Sequence, residues 1–158
     1  FQYSCTSKST MEAAGFLMEL GIDYPKIVDE TFFAKSFNQN KILGMALLKS
    51  ELHLNGSCIS CVLTKEDMDA CNVQSTELEG IASKLRSTKG VETAIFLYEI
   101  GENAFKVSFR SAKQVDVSAI AVKYGGGGHK RAAGLTMNGT AEEIVNTLVK
   151  DVDEAMAQ

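Results

Sequence analysis

Four consecutive glycines, Gly125–Gly128, constrain this chain more than any other feature of its sequence. Glycine loses more conformational freedom on folding than any other residue, so a run of four requires a reason. One reason is that such a loop can adopt positive φ angles and bring its backbone close to a ligand. Successive backbone N–H groups can then converge on an anion. The run is therefore a candidate phosphate-binding loop, and a flexible turn with solvated basic neighbours is the alternative.

The charges around the run support an anion site. His129, Lys130 and Arg131 follow it directly, whereas the whole chain carries 16 basic and 20 acidic residues and a formal charge of -4. Such a balance gives no global attraction to nucleic acid, so any anion site must be local. The run is not a Walker loop, since no Lys-Ser/Thr follows in the required place. It is not a dinucleotide fingerprint either, because a helical pattern, not a strand, precedes it.

Periodicity predicts the fold class. From Glu51 onward, segments with strand character (57–63, 91–100 and 104–110) alternate with capped, amphipathic helical stripes near 78–85, 117–124 and 140–152. Asn55-Gly56 is typical of a β-hairpin turn. A short strand is expected near 133–137. The pattern predicts an α/β (mixed α+β) protein: a helical N-terminal segment followed by a mixed β-sheet flanked by helices.

The first part of the chain predicts three short helices. The first begins at the capping box Ser9-x-x-Glu12 and is stopped by Gly21, and the others lie in about 23–33 and 38–49. A further capping box is expected at Thr76-x-x-Glu79. A three-helix piece of this size buries little apolar surface by itself. We expect a boundary between 1–50 and 51–158, with 1–50 packing on a domain outside this chain. Phe1 reads as mid-chain sequence, so we expect a fragment of a longer protein. The exposed apolar surface makes a homodimer an option.

Cys58 and Cys61 form a C-x-x-C, which is open to a zinc or redox interpretation. The segment has the pattern of a buried strand, in which these two side chains face opposite sides, so small apolar filler is favoured. Cys5, Cys71, His53 and His129 supply no second ligand pair, and no metal site is predicted in this chain. Free cysteines and the lack of a secretory signal suggest the cytoplasm. No apolar run reaches the roughly 20 residues of a membrane span.

Two side chains outside the glycines are candidate phosphate ligands. Arg110 ends the polar face of an alternating strand, and its guanidinium suits a bidentate phosphate contact. An exposed surface arginine is the other interpretation. His129 can donate to a phosphate oxygen or satisfy a backbone carbonyl, and its position after four glycines favours the phosphate.

These residues also resemble a known family. The DHH-associated domain of the DHH phosphoesterase family resembles this chain in the stretches Ser108–Ser111, Val115–Val117 and Tyr124–Gly134. Two further stretches, Glu79–Ile81 and Lys89–Glu92, resemble the nanoRNase and pAp phosphatase branch of that family, which is often described as exopolyphosphatase-related. Residues 1–7 resemble the end of the family's catalytic DHH domain, although Cys5 stands where Asn is expected.

The resemblance implies a two-domain, manganese-dependent hydrolase of short oligonucleotides and small nucleotides such as pAp. The DHH domain would hold the metals, and this chain would bind the substrate, a short single-stranded RNA or DNA or a small nucleotide. The corresponding binding positions are Gly125, Gly126, Gly127, Gly128, His129 and Arg110, together with Ser111 and Lys130. No Asp-His-His is present, so no catalytic residue is expected in this chain, and residues 1–50 would be the remnant of the DHH domain plus a linker.

Two alternatives stay open. The same chemistry would serve a cyclic dinucleotide or polyphosphate. A different class would be a nucleic-acid- or nucleotide-binding module with no hydrolytic partner.

Overall fold

The computed structural model describes residues 6–157, and contacts divide the chain into one unit through Ser36 and another from Phe37 onward. The first unit contains helix α1 (Lys8–Glu19) and helix α2 (Tyr24–Val28), which continues as a π-helical turn, Asp29–Phe33. Asp23 caps α2 as expected, but the capping box of α1 is Ser7 with Thr10 rather than the predicted Ser9 with Glu12. Cys5 lies outside the described residues.

The second unit alternates strands and helices, which confirms the predicted fold class. Its elements, in chain order, are α3 (Phe37–Leu48), β1 (Glu51–His53), β2 (Cys58–Leu63), α4 (Lys65–Cys71), α5 (Ile81–Arg86), β3 (Thr93–Gly101), β4 (Ala104–Ser111), α6 (Val117–Lys123), β5 (Gly127–His129), β6 (Ala132–Asn138) and α7 (Ala141–Met156). Within residues 6–157, none of the helices has the length and apolar character that crossing a membrane requires.

The strands form one mixed sheet of order β1-β2-β3-β4-β6-β5. Strands β2 and β3 are parallel, and every other neighbouring pair is antiparallel. Strand β5, formed by the second half of the glycine run, lies at one edge. The run is therefore only partly a loop, since its last residues pair with β6.

The alternation of apolar residues produces two cores, one on each face of the sheet. Ile95, Leu97, Val107, Phe109 and Leu135 face α6 and α7. The other core joins β2 and β3 to α3, α4 and α5, and includes Ile42, Ile59, Cys61, Leu85 and Phe96. Within the second unit, no described helix belongs to a core beneath the second face of β6 and β5. That face of β6 and β5 is the part of the sheet that no described helix of the second unit covers, and we call it the uncovered face. It adjoins the polar face of β4, which α5 borders on its other side.

The two C-x-x-C cysteines lie on opposite faces, as the strand pattern predicts. Cys58 belongs to the core beneath α6 and α7, and Cys61 belongs to the other core. Burial raises the pKa of both thiols to about 12, so neither is a thiolate at neutral pH.

The second predicted capping box is also wrong. Thr76 and Glu79 do not form a capping box; Gln74 and Glu77 do, around a 3-10 turn at Ser75–Leu78. Gly80, at φ 91°, then separates this turn from α5, because a left-handed residue cannot continue a right-handed helix. The apolar stripe that motivated the prediction, Leu78, Ile81, Ala82 and Leu85, is nevertheless buried.

Candidate anion-binding site

The glycine run begins where α6 ends. Tyr124 is the C-cap, and Gly125 follows at φ +74°, with its N–H donating to the Val122 carbonyl at 3.1 Å. The Gly126 N–H donates to the Ala121 carbonyl at 2.9 Å. A left-handed glycine directly after the C-cap is a common way to end a helix, so Gly125 has a structural role.

Asp151 of α7 anchors this corner. It is buried, accepts a hydrogen bond from the Tyr124 hydroxyl at 2.7 Å, and lies 3.0 Å from the Lys123 ammonium. Burial and the bond to Asp151 raise the pKa of Tyr124 to about 12. Asp151 was not predictable from the sequence, because no local pattern relates it to α6. These contacts connect the start of the glycine run, at the end of α6, to helix α7.

The remaining glycines differ in what surrounds them. A Cβ on Gly126 would lie 2.4 Å from the Gly134 carbonyl oxygen, and one on Gly128 would lie 2.5 Å from the Ala132 carbonyl oxygen. A Cβ on Gly127 would meet nothing within 4 Å. Close packing on β6 therefore requires glycine at 126 and 128, whereas packing leaves position 127 unconstrained.

Strand register brings Arg110 and His129 onto the same face of the sheet. Arg110 pairs with Ala132, and Ala132 pairs with His129, so the three side chains form one cross-strand row. Since neighbouring strands lie about 4.8 Å apart, the two outer Cα atoms are roughly 10 Å apart. The next row, Ser108, Gly134 and Gly127, carries little side chain. The result is an open platform with small residues in its floor, Arg110 on one side and His129 on the other.

Arg110 is half-buried, and its Nη1 donates to the Phe109 carbonyl at 2.8 Å. It also borders a cleft between β3, β4 and the segment leading into α5, whose lining includes none of the glycine run. Arg110 thus lies between two features: the glycine platform toward β5 and this cleft toward β3.

Ser111 lies on the opposite face of β4 from Arg110. Its side chain is buried, and its hydroxyl donates to the Val115 carbonyl at 2.7 Å and lies 3.2 Å from the Lys130 carbonyl oxygen. Ser111 therefore ties β4 to the β5–β6 turn. Lys130 in that turn is exposed, and its carbonyl accepts from the Val117 N–H at 3.1 Å.

Glu92 holds the loop between β4 and α6. Its Oε1 accepts hydrogen bonds from the N–H groups of Lys113, Gln114 and Val115, at 2.8, 2.6 and 3.2 Å. Desolvation opposes ionisation, but these three bonds and the nearby Arg131 charge outweigh it and lower the Glu92 pKa. Sequence reasoning used Glu92 only as part of a family match and missed this role.

The described residues do not cluster as the ligands of a metal ion do. In the part of the chain that the structure describes, no group of three or more His, Cys, Asp or Glu side chains is arranged to hold a metal ion. His53, the second histidine, has its Nε2 2.7 Å from the Ser60 hydroxyl oxygen. The described residues therefore do not fit a two-metal hydrolytic centre, which needs clustered ligands.

Comparison with known proteins places the site in a family. The sequence model of the DHHA1 domain matches residues 57–158, which include Arg110 and the whole glycine run. The chain belongs to the DHHA1 domain family. This confirms the family that the sequence predicted.

Relatives that this DHHA1 chain resembles include bifunctional oligoribonuclease and PAP phosphatase NrnA proteins. The protein from Thermus thermophilus is 30% identical over 88% of this chain and 41% of its own length. The protein from Bacillus subtilis is 25% identical over 87% of this chain and 42% of its own length. The DHHA1 chain thus spans about two fifths of these relatives.

A crystal structure of an exopolyphosphatase-related protein from Bacteroides fragilis has the same fold. It superimposes with a TM-score of 0.91 at 24% identity, covering 99% of the DHHA1 chain and 46% of that protein. At this identity the match concerns the fold alone.

Proposed function

We propose that this chain is the substrate-binding portion of a metal-dependent phosphoesterase that hydrolyses short oligonucleotides and small nucleotides such as pAp. The observation that carries the proposal is the row Arg110–Ala132–His129, which spans the polar face of β4 and the adjoining uncovered face, with a floor of small residues. Similarity to NrnA proteins supports the reaction class.

The site residues have distinct roles in this proposal. The Arg110 guanidinium neutralises a phosphate and holds it through charge-assisted hydrogen bonds. The N–H groups of Gly125 and Gly126 already donate to carbonyls of α6, so the backbone donors in this proposal are N–H groups of Gly127 and Gly128 that point away from β6. These groups and the His129 ring donate to the same phosphate or to the substrate end. Lys130 adds positive charge nearby. Ser111, whose hydroxyl is already engaged by backbone carbonyls, positions the β5–β6 turn rather than touching the substrate.

Manganese, or another divalent metal, belongs in this proposal to a DHH domain outside the present sequence. The described residues offer no such site, so this chain's contribution is positioning and charge neutralisation. Residues 1–50 would then be the end of that domain and a linker, and the first unit would pack on its remainder. The apolar side chains exposed there include Phe16, Leu20 and Phe33.

Calorimetric titration of the 158-residue chain with pAp and with a 5′-phosphorylated RNA dinucleotide tests the binding role. We expect saturable binding that Arg110→Ala weakens by about 1–3 kcal/mol, the value of a hydrogen bond to a charged group. Arg86→Ala is the matched control, because Arg86 lies at the end of α5 and does not line the site. Unchanged affinity in Arg110→Ala, or no saturation at millimolar ligand, contradicts the proposal. Titrations with a cyclic dinucleotide and with polyphosphate, compared with these two, rank the candidate substrates by affinity.

A further inference from the structure

The cleft beside Arg110 has a composition that a phosphate site alone does not require. Its walls are the turn and first residues of α5 on one side and β3 and β4 on the other. The lining combines an aromatic ring, a carboxylate, several hydroxyls and the Arg110 guanidinium, contributed by Tyr98, Glu79, Ser83, Ser108 and Arg110.

The aromatic residue is held in place. Tyr98 is half-buried, and its ring lies 5.9 Å from that of Phe96, which is 2% exposed. Register pairs Phe96 with Ser108, which lies two residues before Arg110 on the same face of β4. Register pairs Tyr98 with Lys106 and Arg110 with Ala94, so Tyr98 and Arg110 line the cleft from positions on either side of the Phe96–Ser108 pair. An ordered aromatic side chain in the cleft gives a nucleobase a surface on which to stack.

The carboxylate stands at the opposite wall. Glu79 is exposed, and Gly80 beside it lines the cleft at φ +91° with nothing within 4 Å of where a Cβ would be. No described hydrogen bond or ion pair engages the Glu79 carboxylate, whereas Glu77 and Glu92 are occupied in caps and loops. A free carboxylate repels phosphate, so a ligand that spans this cleft must offer Glu79 hydrogen-bond donors instead. Ribose hydroxyls are such donors.

We propose that this cleft is a nucleoside subsite for a ribonucleotide whose phosphate is bound at Arg110. The base stacks on Tyr98, and Glu79 accepts a hydrogen bond from the ribose 2′-hydroxyl. The proposal rests on the phosphate role of Arg110 given above and adds what the substrate must carry next to that phosphate. It predicts discrimination between RNA and DNA, because the 2′-hydroxyl is the group by which a protein distinguishes them.

The test measures the affinities of the 158-residue chain for a 5′-phosphorylated ribodinucleotide and its 2′-deoxy counterpart. Wild type is expected to bind the ribo form at least fivefold more tightly. Glu79→Ala, which removes the acceptor, should bring the ratio below about twofold, and Glu102→Ala, in the exposed β3–β4 turn, should leave it unchanged. Tyr98→Ala should weaken both ligands at least fivefold, whereas Tyr98→Phe should bind like wild type. Thermal melting identifies any variant that has not folded.

The outcomes separate this proposal from the one on which it rests. A wild-type ratio near one, an unchanged ratio in Glu79→Ala, or wild-type affinity in Tyr98→Ala overturns the nucleoside subsite. If Arg110→Ala still loses affinity in that case, the phosphate role stands. If Arg110→Ala also binds like wild type, the proposed function itself fails.

Discussion

At the residue scale, the four glycines of the run serve different ends. Gly125 ends α6 at a positive φ angle, and Gly126 and Gly128 allow the run to approach β6 more closely than any side chain permits. Gly127 has no such constraint and lies in the row that includes Gly134 and Ser108 on the uncovered face. Its missing side chain keeps the floor of the platform low, which is where a bound phosphate would approach the backbone.

Alanine substitutions separate packing from binding. Gly126→Ala places a Cβ against the backbone of β6 and should lower the free energy of unfolding by about 1–3 kcal/mol. Gly127→Ala should leave that free energy within about 0.5 kcal/mol of wild type and still weaken nucleotide binding. Urea denaturation and calorimetric titration measure the two quantities. Full nucleotide affinity in Gly127→Ala would show that the platform floor does not contact the ligand.

At the scale of elements, the site depends on the loop between β4 and α6. Glu92 binds three consecutive backbone N–H groups of this loop, and the loop in turn meets the β5–β6 turn. Those contacts run from the Ser111 hydroxyl to the Val115 carbonyl and from Arg131 Nη1 to the same carbonyl at 3.3 Å. The Glu92 carboxylate therefore positions the turn that carries Lys130 through this loop.

Replacing that carboxylate should make stability less sensitive to acid. The Glu92 pKa in the folded chain lies below its ordinary value of 4.5. Its stabilising contribution is therefore present above about pH 4.5 and is lost as the pH falls through the lower, folded value. At pH 7, Glu92→Gln should cost about 1 kcal/mol, allowing for solvent screening of a half-buried side chain. Urea unfolding at pH 7 and pH 3 should show the difference shrinking at pH 3. A constant difference would mean that the charge of Glu92 is immaterial.

The sequence predicts the individual helices and strands better than it predicts which of them lie next to each other. The alternation in residues 104–110 is sufficient to assign Arg110 and Ser108 to one face, and Asp116 and Thr140 are sufficient to mark helix starts. It could not supply the sheet order, so the row linking Arg110 to His129 through Ala132 was not predictable. The alternation of side chains along a strand places the adjacent residues Arg110 and Ser111 on opposite faces, but the family resemblance named both as substrate-binding residues. The contacts of Glu92 and Asp151 join residues more than 20 positions apart, which no local pattern records.

At the scale of the whole molecule, the chain corresponds to about two fifths of its NrnA relatives. Its described residues contain the platform that we propose binds an anion, and they contain no cluster of metal ligands. In our proposal, binding and bond cleavage therefore belong to different parts of a longer protein.

The isolated chain should accordingly bind nucleotides without hydrolysing them. Incubated with manganese and a short RNA, it should release no mononucleotide above a protein-free control. Chromatographic analysis of the products measures this release. Mononucleotide release that is abolished by His129→Ala would place catalysis within this chain and contradict the division of roles.

The most direct test is to map the bound nucleotide onto the backbone by amide chemical-shift perturbation in an NMR titration of the chain with a 5′-phosphorylated ribodinucleotide. We predict saturable shifts at Arg110, Gly127 and His129, with the β1–β2 hairpin unchanged. Saturable shifts that leave all three residues unmoved and cluster elsewhere would contradict the account.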